Sequence, residues 1–232
     1  LLFQDLKTLS TLASGSVGLQ TGQAKGYTVS QIMPIVQPIS ISSNPIGNPW
    51  LNYGVYLLSL LLPAILQLLI FMFTVSSFGS ELKEGNGRYI LDLSGNSIVK
   101  SIIGKTLPYT IVASIIGLLF MSGLYYYLQF PLHCGFWPMF ANYVCLIIAS
   151  QGFGIILLAI FRNYRFALSI ASLLGMVTFS IMGMSFPVLA MSGALQSLAN
   201  IFPMRHFMLI YNDLALNGYP IGYATYHYAA LL

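Results

Sequence analysis

The chain has 232 residues, of which 57% are hydrophobic and only 6% are charged, and its formal net charge is +4. Soluble domains usually carry about 25% charged residues, so this composition excludes a lone soluble domain, because so few charges cannot cover a water-facing surface. The lysines and arginines form no basic run of the kind that follows a nucleic-acid backbone, so we expect no nucleic-acid partner. We therefore expect an integral membrane protein.

The first 52 residues differ from the rest by their polar and turn-forming composition. Four apolar residues recur at helical spacing and predict a short amphipathic helix, namely Leu2, Leu6, Leu9 and Ala13. Residues 14–26, rich in Gly, Ser and Gln, predict a loop. Residues 27–43, with β-branched side chains and two prolines, are compatible with an edge strand or an extended tail. We interpret residues 1–52 as the tail of an extracytoplasmic domain, and the chain as part of a longer protein.

Four long apolar runs follow, and none of them contains a charged residue. About 20 helical residues cross the bilayer core, and an Arg, Lys or Asp at its centre costs about 2.5–3.5 kcal/mol. The predicted spans are residues 53–78, 106–130, 139–161 and 166–190, and a further span starts at 221–232. The predicted fold class is an all-α polytopic helical bundle, with a transmembrane domain at 53–232. Two polar residues inside spans, Gln67 and Gln151, are expected to form hydrogen bonds between helices.

Positive charges predict the orientation of these spans. The loop 79–105 carries four Lys or Arg residues and the turn 162–165 carries two, whereas the loop 131–138 carries none. Because positive loops favour the cytoplasmic side, we place 79–105 and 162–165 in the cytoplasm. Residues 1–52 and 191–220 then lie outside.

The cytoplasmic loop 79–105 is too long and too patterned for a simple turn. Glu84 and Arg88 have the i, i+4 spacing of a helix, and Tyr89 to Leu93 add apolar side chains. These features predict a short amphipathic helix at the cytoplasmic face. The residues alone leave open whether this helix binds lipid headgroups or docks a partner protein.

We expect no catalytic site, no metal and no cofactor in this chain. The tripeptide Gly104-Lys105-Thr106 matches only the end of a phosphate-binding loop, because residue 99 is Val where that motif requires Gly. No Ser/His/Asp or Cys/His set stands out, and no Cys and His residues have metal-ligand spacing.

Several short motifs resemble permease subunits of type 2 ATP-binding-cassette (ABC) exporters. The family's cytoplasmic connection is matched by Glu81, Glu84-Gly85 and the sequence Gly104-Lys105-Thr106-Leu107-Pro108-Tyr109. Its last external loop is matched by Phe186-Pro187, Met191, Pro203-Met204-Arg205-His206-Phe207 and Gly218. Asn44-Pro45 resembles the end of the family's extracytoplasmic domain.

This resemblance implies an ATP-driven exporter of the bacterial cytoplasmic membrane. The chain would be its permease, a separate ABC ATPase subunit would bind the ATP, and a second permease, identical or sibling, would complete the assembly. The resemblance places ATPase docking on residues 80–93. The docking residues that we expect are Glu81, Lys83, Glu84, Arg88, Tyr89, Ile90 and Leu91.

The external loop 187–205 is too apolar to lie in water, so we expect it to dip into the outer leaflet and to help gate the exit. The alternative is simple packing at the interface. The expected gate residues are Phe186, Pro187, Met191, Pro203, Arg205 and His206.

Two other functions stay open at this point. An ion- or proton-coupled secondary transporter usually needs a charged group inside the membrane, and the predicted spans contain none. A membrane assembly subunit that transports nothing is the third possibility. A neighbouring reading frame that encodes an ATPase with a phosphate-binding loop would favour the exporter.

Overall fold

A computed structural model describes residues 2–26, 28, 53–184 and 186–231. The chain divides into two units, Leu1–Pro45 and Ile46–Leu232. In the first unit, helix α1 spans Leu2–Ala24, so the loop predicted at 14–26 is wrong. No proline interrupts this stretch, and the backbone first leaves the helix near Gly26, where φ is +78°. Apart from Thr28, the strand or tail predicted at 27–43 lies outside the described residues.

The second unit is built from helices, and the part of it that the structure describes contains no strand. Its first five helices are α2 (Tyr53–Glu84), α3 (Gly87–Leu93), α4 (Ile98–Met121, continued by a π-helical turn at Ser122–Tyr127), α5 (Phe136–Ile160) and α6 (Tyr164–Ile181). Within the described ranges, four helices are long and apolar enough to cross a membrane: α2, α4 with its π-helical turn, α5 and α6. The predicted all-α polytopic membrane fold is confirmed.

The rest of this unit, residues 188–231, consists of short helical elements. They are a 3-10 turn (Val188–Ala190), α7 (Gly193–Ile201), α8 (Pro203–Ile210, continued by a π-helical turn at Tyr211–Leu216), a second 3-10 turn (Ile221–Ala224) and α9 (Thr225–Leu231). α9 occupies most of the stretch where the sequence predicts the start of a further span.

The structure corrects the predicted ends of several spans. α2 continues to Glu84 rather than ending at residue 78, and α5 is displaced slightly, to Phe136–Ile160. α4 begins at Ile98, well before residue 106, because the Ser97 hydroxyl accepts a bond from the N–H of Lys100 and caps the helix. α6 ends at Ile181 rather than at residue 190 because Gly183, with a φ of +106°, breaks the helix.

Close packing of α2 against α5 and α6 forms the centre of the bundle. Phe71 of α2 and Ala167 and Ala171 of α6 have no exposed surface. Farther along α6, Gly175 faces Leu68 so closely that an added Cβ would lie 2.9 Å from the Leu68 Cδ1 atom. Small residues on α6 therefore let the two backbones approach, as expected between membrane helices.

Only one of the two predicted interhelical glutamine contacts forms in the described part of the chain. The Gln151 carbonyl oxygen accepts a 2.9 Å bond from the Thr110 hydroxyl, and its amide donates to the Thr106 carbonyl at 3.4 Å. These bonds join α4 to α5 and confirm the prediction for Gln151. Gln67 is 1% exposed, and its carbonyl oxygen has no hydrogen-bond partner among the described residues.

Candidate functional site

Both positively charged loops lie at one end of the bundle. Gly79 of α2 packs directly against the ring of Tyr164 at the start of α6, and the hydroxyls of Ser76 and Tyr164 are 3.2 Å apart. The loop 79–105 and the turn 162–165 are therefore neighbours, which agrees with the alternation of spans inferred from their charges. We call this the charged end of the bundle, and the opposite end the far end.

The chain leaves α2 through a glycine turn. Gly85 has a φ of +77°, and the next N–H, that of Asn86, donates to the Glu81 carbonyl at 3.0 Å. This bond across the glycine is the Schellman closure of a helix. Glu84 therefore ends α2 while Arg88 lies on α3, so the prediction that these two residues lie on the same short helix is wrong.

The short helix α3 presents two different faces. Ile90 and Leu91 are half-buried and line a cavity of about 250 Å³ between α3 and the ends of α2, α4 and α5. Tyr89 is 67% exposed, and the side chain of Arg88 is also exposed. The predicted short helix is therefore present but is confined to α3, because residues 80–84 belong to the span helix α2. Its apolar side chains are not all on one face, since Tyr89 and Leu93 are exposed.

An ion pair joins the two spans that flank α3. Lys105 Nζ pairs with the Glu81 carboxylate and donates to the Ser77 carbonyl at 2.7 Å. The same ammonium lies 4.8 Å from the centre of the Phe78 ring, a cation–π contact. Only 15% of the Lys105 side chain and 31% of the Glu81 side chain are exposed. Limited contact with water strengthens the attraction, so α2 and α4 are fastened together beside α3.

The predicted docking residues do not all share one surface. Lys83, Glu84 and Arg88 are exposed, whereas the carboxylate of Glu81 is engaged by Lys105. Sequence reasoning used Lys105 as a positive charge and as part of a family motif but missed its pairing, because a partner on another helix leaves no trace in local spacing. The Gly104-Lys105 motif marked the residue but not its partner.

At the far end, two side chains from other helices hold the chain that follows α6. Arg205 Nη1 donates to the Met182 carbonyl at 2.9 Å, and the Tyr56 hydroxyl donates to the Met184 carbonyl. Between these carbonyls, Gly183 lies so close to Arg205 that an added Cβ would be 2.5 Å from Nη1. Burial lowers the pKa of the Arg205 guanidinium, although arginine remains charged in proteins.

The far-end loop, residues 186–210, turns back into the bundle. Phe202 is 1% exposed, and its ring centre lies 5.3 Å from that of Phe153. Phe153 is about 25 Å along α5 from the start of that helix. Val188 and Ala199 are buried in the same apolar cluster. The loop therefore descends past the middle of α5, and α8 carries the chain back toward the far end.

Two histidines connect this loop to α9. His206 Nε2 lies 2.8 Å from the Asn200 carbonyl oxygen, and its Nδ1 lies 3.2 Å from Nδ1 of His227. A carbonyl oxygen only accepts hydrogen bonds, so His206 Nε2 carries a proton. In the neutral pair, His206 Nδ1 is then the acceptor and His227 Nδ1 the donor.

Three of the predicted gate residues gather on α8, namely Pro203, Arg205 and His206. The first and last of these are buried, and Arg205 is half-buried. Met191 is half-buried against the apolar cluster around Phe202, whereas Phe186 and Pro187 are exposed. Sequence reasoning missed Tyr56, which it treated only as an interfacial aromatic residue.

The comparison with known families agrees with this arrangement of spans and loops. A family model described as "ABC-2 family transporter protein" matches residues 4–232, almost the whole chain. No curated protein and no solved structure shows a significant match. The chain belongs to the ABC-2 transporter family, as a multi-pass membrane permease subunit of an ABC transporter.

Proposed function

We propose that this chain is the membrane half of an ATP-driven exporter in a bacterial cytoplasmic membrane. In this proposal the charged end, with residues 79–105 and 162–165, faces the cytoplasm, and residues 1–52 and 191–220 lie outside. Membership of the ABC-2 family supports a separate ATP-binding-cassette subunit as the source of energy. A second permease, identical or sibling, completes the transport pathway.

One observation carries the proposal: a single helix, α2, reaches from α3 to the segment between α6 and the far-end loop. Near one end of α2, Tyr56 bonds to the carbonyl of Met184. Near the other end, Glu81 pairs with Lys105, about two turns into α4. A displacement applied at α3 is therefore delivered to the far end as the movement of a rigid element, the usual form of such transitions.

The two faces of α3 suit a coupling role. The exposed ring of Tyr89 supplies an apolar anchor for a groove on the ATPase subunit, and Lys83, Glu84 and Arg88 set the electrostatics of docking. Ile90, on the other face, packs toward the bundle. Closure of the ATPase subunit then pushes α2 and α4, because α3 rests against their ends.

The far-end loop is the proposed external gate. Arg205 and Tyr56 hold the carbonyls of Met182 and Met184, and this arrangement keeps the segment after α6 in place. Movement of α2 shifts Tyr56 relative to Met184, which loosens that segment and opens an exit at the interface with the second permease.

Replacing Tyr89 with Asp tests the docking assignment. This side chain is 67% exposed and Tyr127 at the far end is 84% exposed, so Tyr127→Asp is a matched control. We expect Tyr89→Asp to abolish co-purification of the ATPase subunit and stimulation of its ATP turnover, while Tyr127→Asp retains both. If Tyr89→Asp retains both as well, α3 is not the docking element.

Single cysteines test whether the far-end loop is re-entrant. In a background where Cys134 and Cys145 are replaced by Ser, Leu189→Cys, at a site that is 92% exposed, should react with a maleimide suited to a lipid-facing site. Ala199→Cys, at a fully buried site, should resist both this reagent and a membrane-impermeant one. Uniform labelling of residues 188–202 by the impermeant reagent would contradict the re-entrant assignment.

A further inference from the structure

A groove lined by cations lies at the charged end, next to the cavity under α3, with which it shares Leu82 and Leu158. It has a volume of about 400 Å³ and lies between the end of α2 and the turn from α5 to α6. Three cationic side chains line it, Lys83 from α2 and Arg162 and Arg165 from the turn. All three are exposed, so their charged groups can reach a ligand placed between them.

These three cations have no partner of opposite charge in the described part of the chain. The ion pair found there, between Lys105 and Glu81, lies outside the groove, and no Asp or Glu is among the described residues that line the groove. Positive potential therefore accumulates in one concavity without an internal anion to balance it.

The start of α6 adds to this positive potential. The amide N–H groups at a helix N-terminus carry about half a positive charge in total, which favours acidic residues in the first turn. The first turn of α6 contains no acidic residue and instead includes Arg165. The Asn163 side chain caps the helix by accepting from the N–H of Arg165 at 3.1 Å, but it supplies no negative charge.

The surroundings of the groove indicate which anion it accepts. Leu82 and Leu158 form apolar parts of its wall. Leu82 is 61% exposed, and Phe166, in the first turn of α6, is 53% exposed. The groove lies at the ends of helices that can span a membrane, which is the depth of lipid headgroups. An anion that also carries acyl chains matches both the cations and the apolar wall, whereas a soluble phosphate matches only the cations.

We propose that this groove binds the phosphate headgroup of an anionic membrane lipid, held by Arg162, Arg165 and Lys83. Arginine suits this role because its planar fork can bond two phosphate oxygens at once. The site shares Lys83 with the proposed ATPase docking surface, whereas Arg162 and Arg165 belong to the groove alone, and the site would exist in the permease without any ATPase subunit.

Lipid retention by the purified permease, without any ATPase subunit, tests the proposal. The protein is equilibrated with nanodiscs of phosphatidylcholine containing a minority of phosphatidylglycerol, and native mass spectrometry measures the anionic lipid that stays bound. Arg162→Gln/Arg165→Gln should lower its affinity about thirty-fold, since each basic residue near an anionic surface changes binding about five-fold. Lys100→Gln, an exposed cation at the same end but outside the groove, should change it less than about two-fold.

Further measurements check that the double variant is folded and correctly oriented and that binding is electrostatic. Unfolding midpoints in pure phosphatidylcholine check that the double variant is folded, and a cysteine label at Ser94→Cys checks that its orientation is unchanged. For the wild type, retention should fall as salt rises. Equal retention by wild type and double variant would overturn the proposal. Competition by soluble glycerol phosphate as effective as that by phosphatidylglycerol would also overturn it, because the ligand would then be a free phosphate.

Discussion

The ammonium of Lys105 pairs with the carboxylate of Glu81, so a residue near the head of α4 holds a residue near the end of α2. The segment between them contains α3, so the ion pair fixes the two ends of the connection that carries this helix. Lys105 also bonds to the Ser77 carbonyl, one turn earlier on α2. In the coupling that we propose, this ion pair lets a helix of only seven residues pass a force to two spans.

A double-mutant cycle on this pair should show strong coupling. Glu81→Gln or Lys105→Met alone should lower the free energy of unfolding by about 1–3 kcal/mol, because each leaves a shielded charge without its partner. The double variant should cost no more than the larger single change, since neither charge remains. Equilibrium unfolding in mixed micelles measures all four proteins, and simple additivity would show that the two residues do not interact.

Gln151 should contribute modestly to stability through its bonds to α4. Gln151→Leu removes the contacts to Thr110 and Thr106, and such bonds between membrane helices contribute about 0.6 kcal/mol, rising to about 1.7 kcal/mol. Thr110→Val should reproduce part of the loss, and combining the two changes should add little to Gln151→Leu. An unfolding cycle measures this, and a loss confined to Gln151→Leu would mean that the Thr110 hydroxyl is not a partner.

Glycine at position 183 should be essential to the far-end loop. Gly183→Ala places a side chain at a φ of +106° and puts its Cβ against Arg205 Nη1 and Val188, so we expect a loss of about 1–3 kcal/mol. Gly193→Ala is the matched control because its Cβ meets open space at the start of α7. It should be neutral or stabilising by up to about 1 kcal/mol. Thermal unfolding distinguishes the two, and similar midpoints would contradict the packing around Gly183.

Acid should weaken the contact between α8 and α9. The Nδ1 atoms of His206 and His227 face each other, so the contact holds when at least one ring is neutral and is lost when both are protonated and two donors oppose each other. Burial, and after it the neighbouring His206, lowers the pKa of His227, while Asp213 raises it and Arg205 lowers it by smaller amounts. Because the pKa of His227 is lowered in the folded protein, the stabilisation is present at higher pH and is lost as pH falls below the ordinary histidine value of about 6.5.

Comparison of the wild type with His227→Gln measures this effect, because His133 is common to both proteins and its contribution cancels. The difference in unfolding midpoint should be largest near neutral pH and should shrink on acidification. A difference that stays constant, or that grows in acid, would contradict the proton-sharing arrangement.

The spans themselves could be predicted from the sequence, whereas their exact ends could not. A bilayer demands a long uncharged helix, and that requirement is visible in the composition of each run. Helix ends depend on local backbone geometry instead. α4 begins early because Ser97 caps it, and α6 ends early because Gly183 adopts a positive φ. The sequence alone does not show that a given serine will cap a helix or that a given glycine will end one.

By itself, the sequence determined the membrane class, the helical fold and the location of both loops of interest, because hydrophobicity and charge act residue by residue. Only the tertiary structure decided that Glu81 is engaged by Lys105, that Tyr56 holds Met184, and that Lys83 faces the turn at 162–165. These partners are far apart in the chain. They meet because close packing of the helices fixes which faces are turned toward each other, and that depends on all the side chains between them at once.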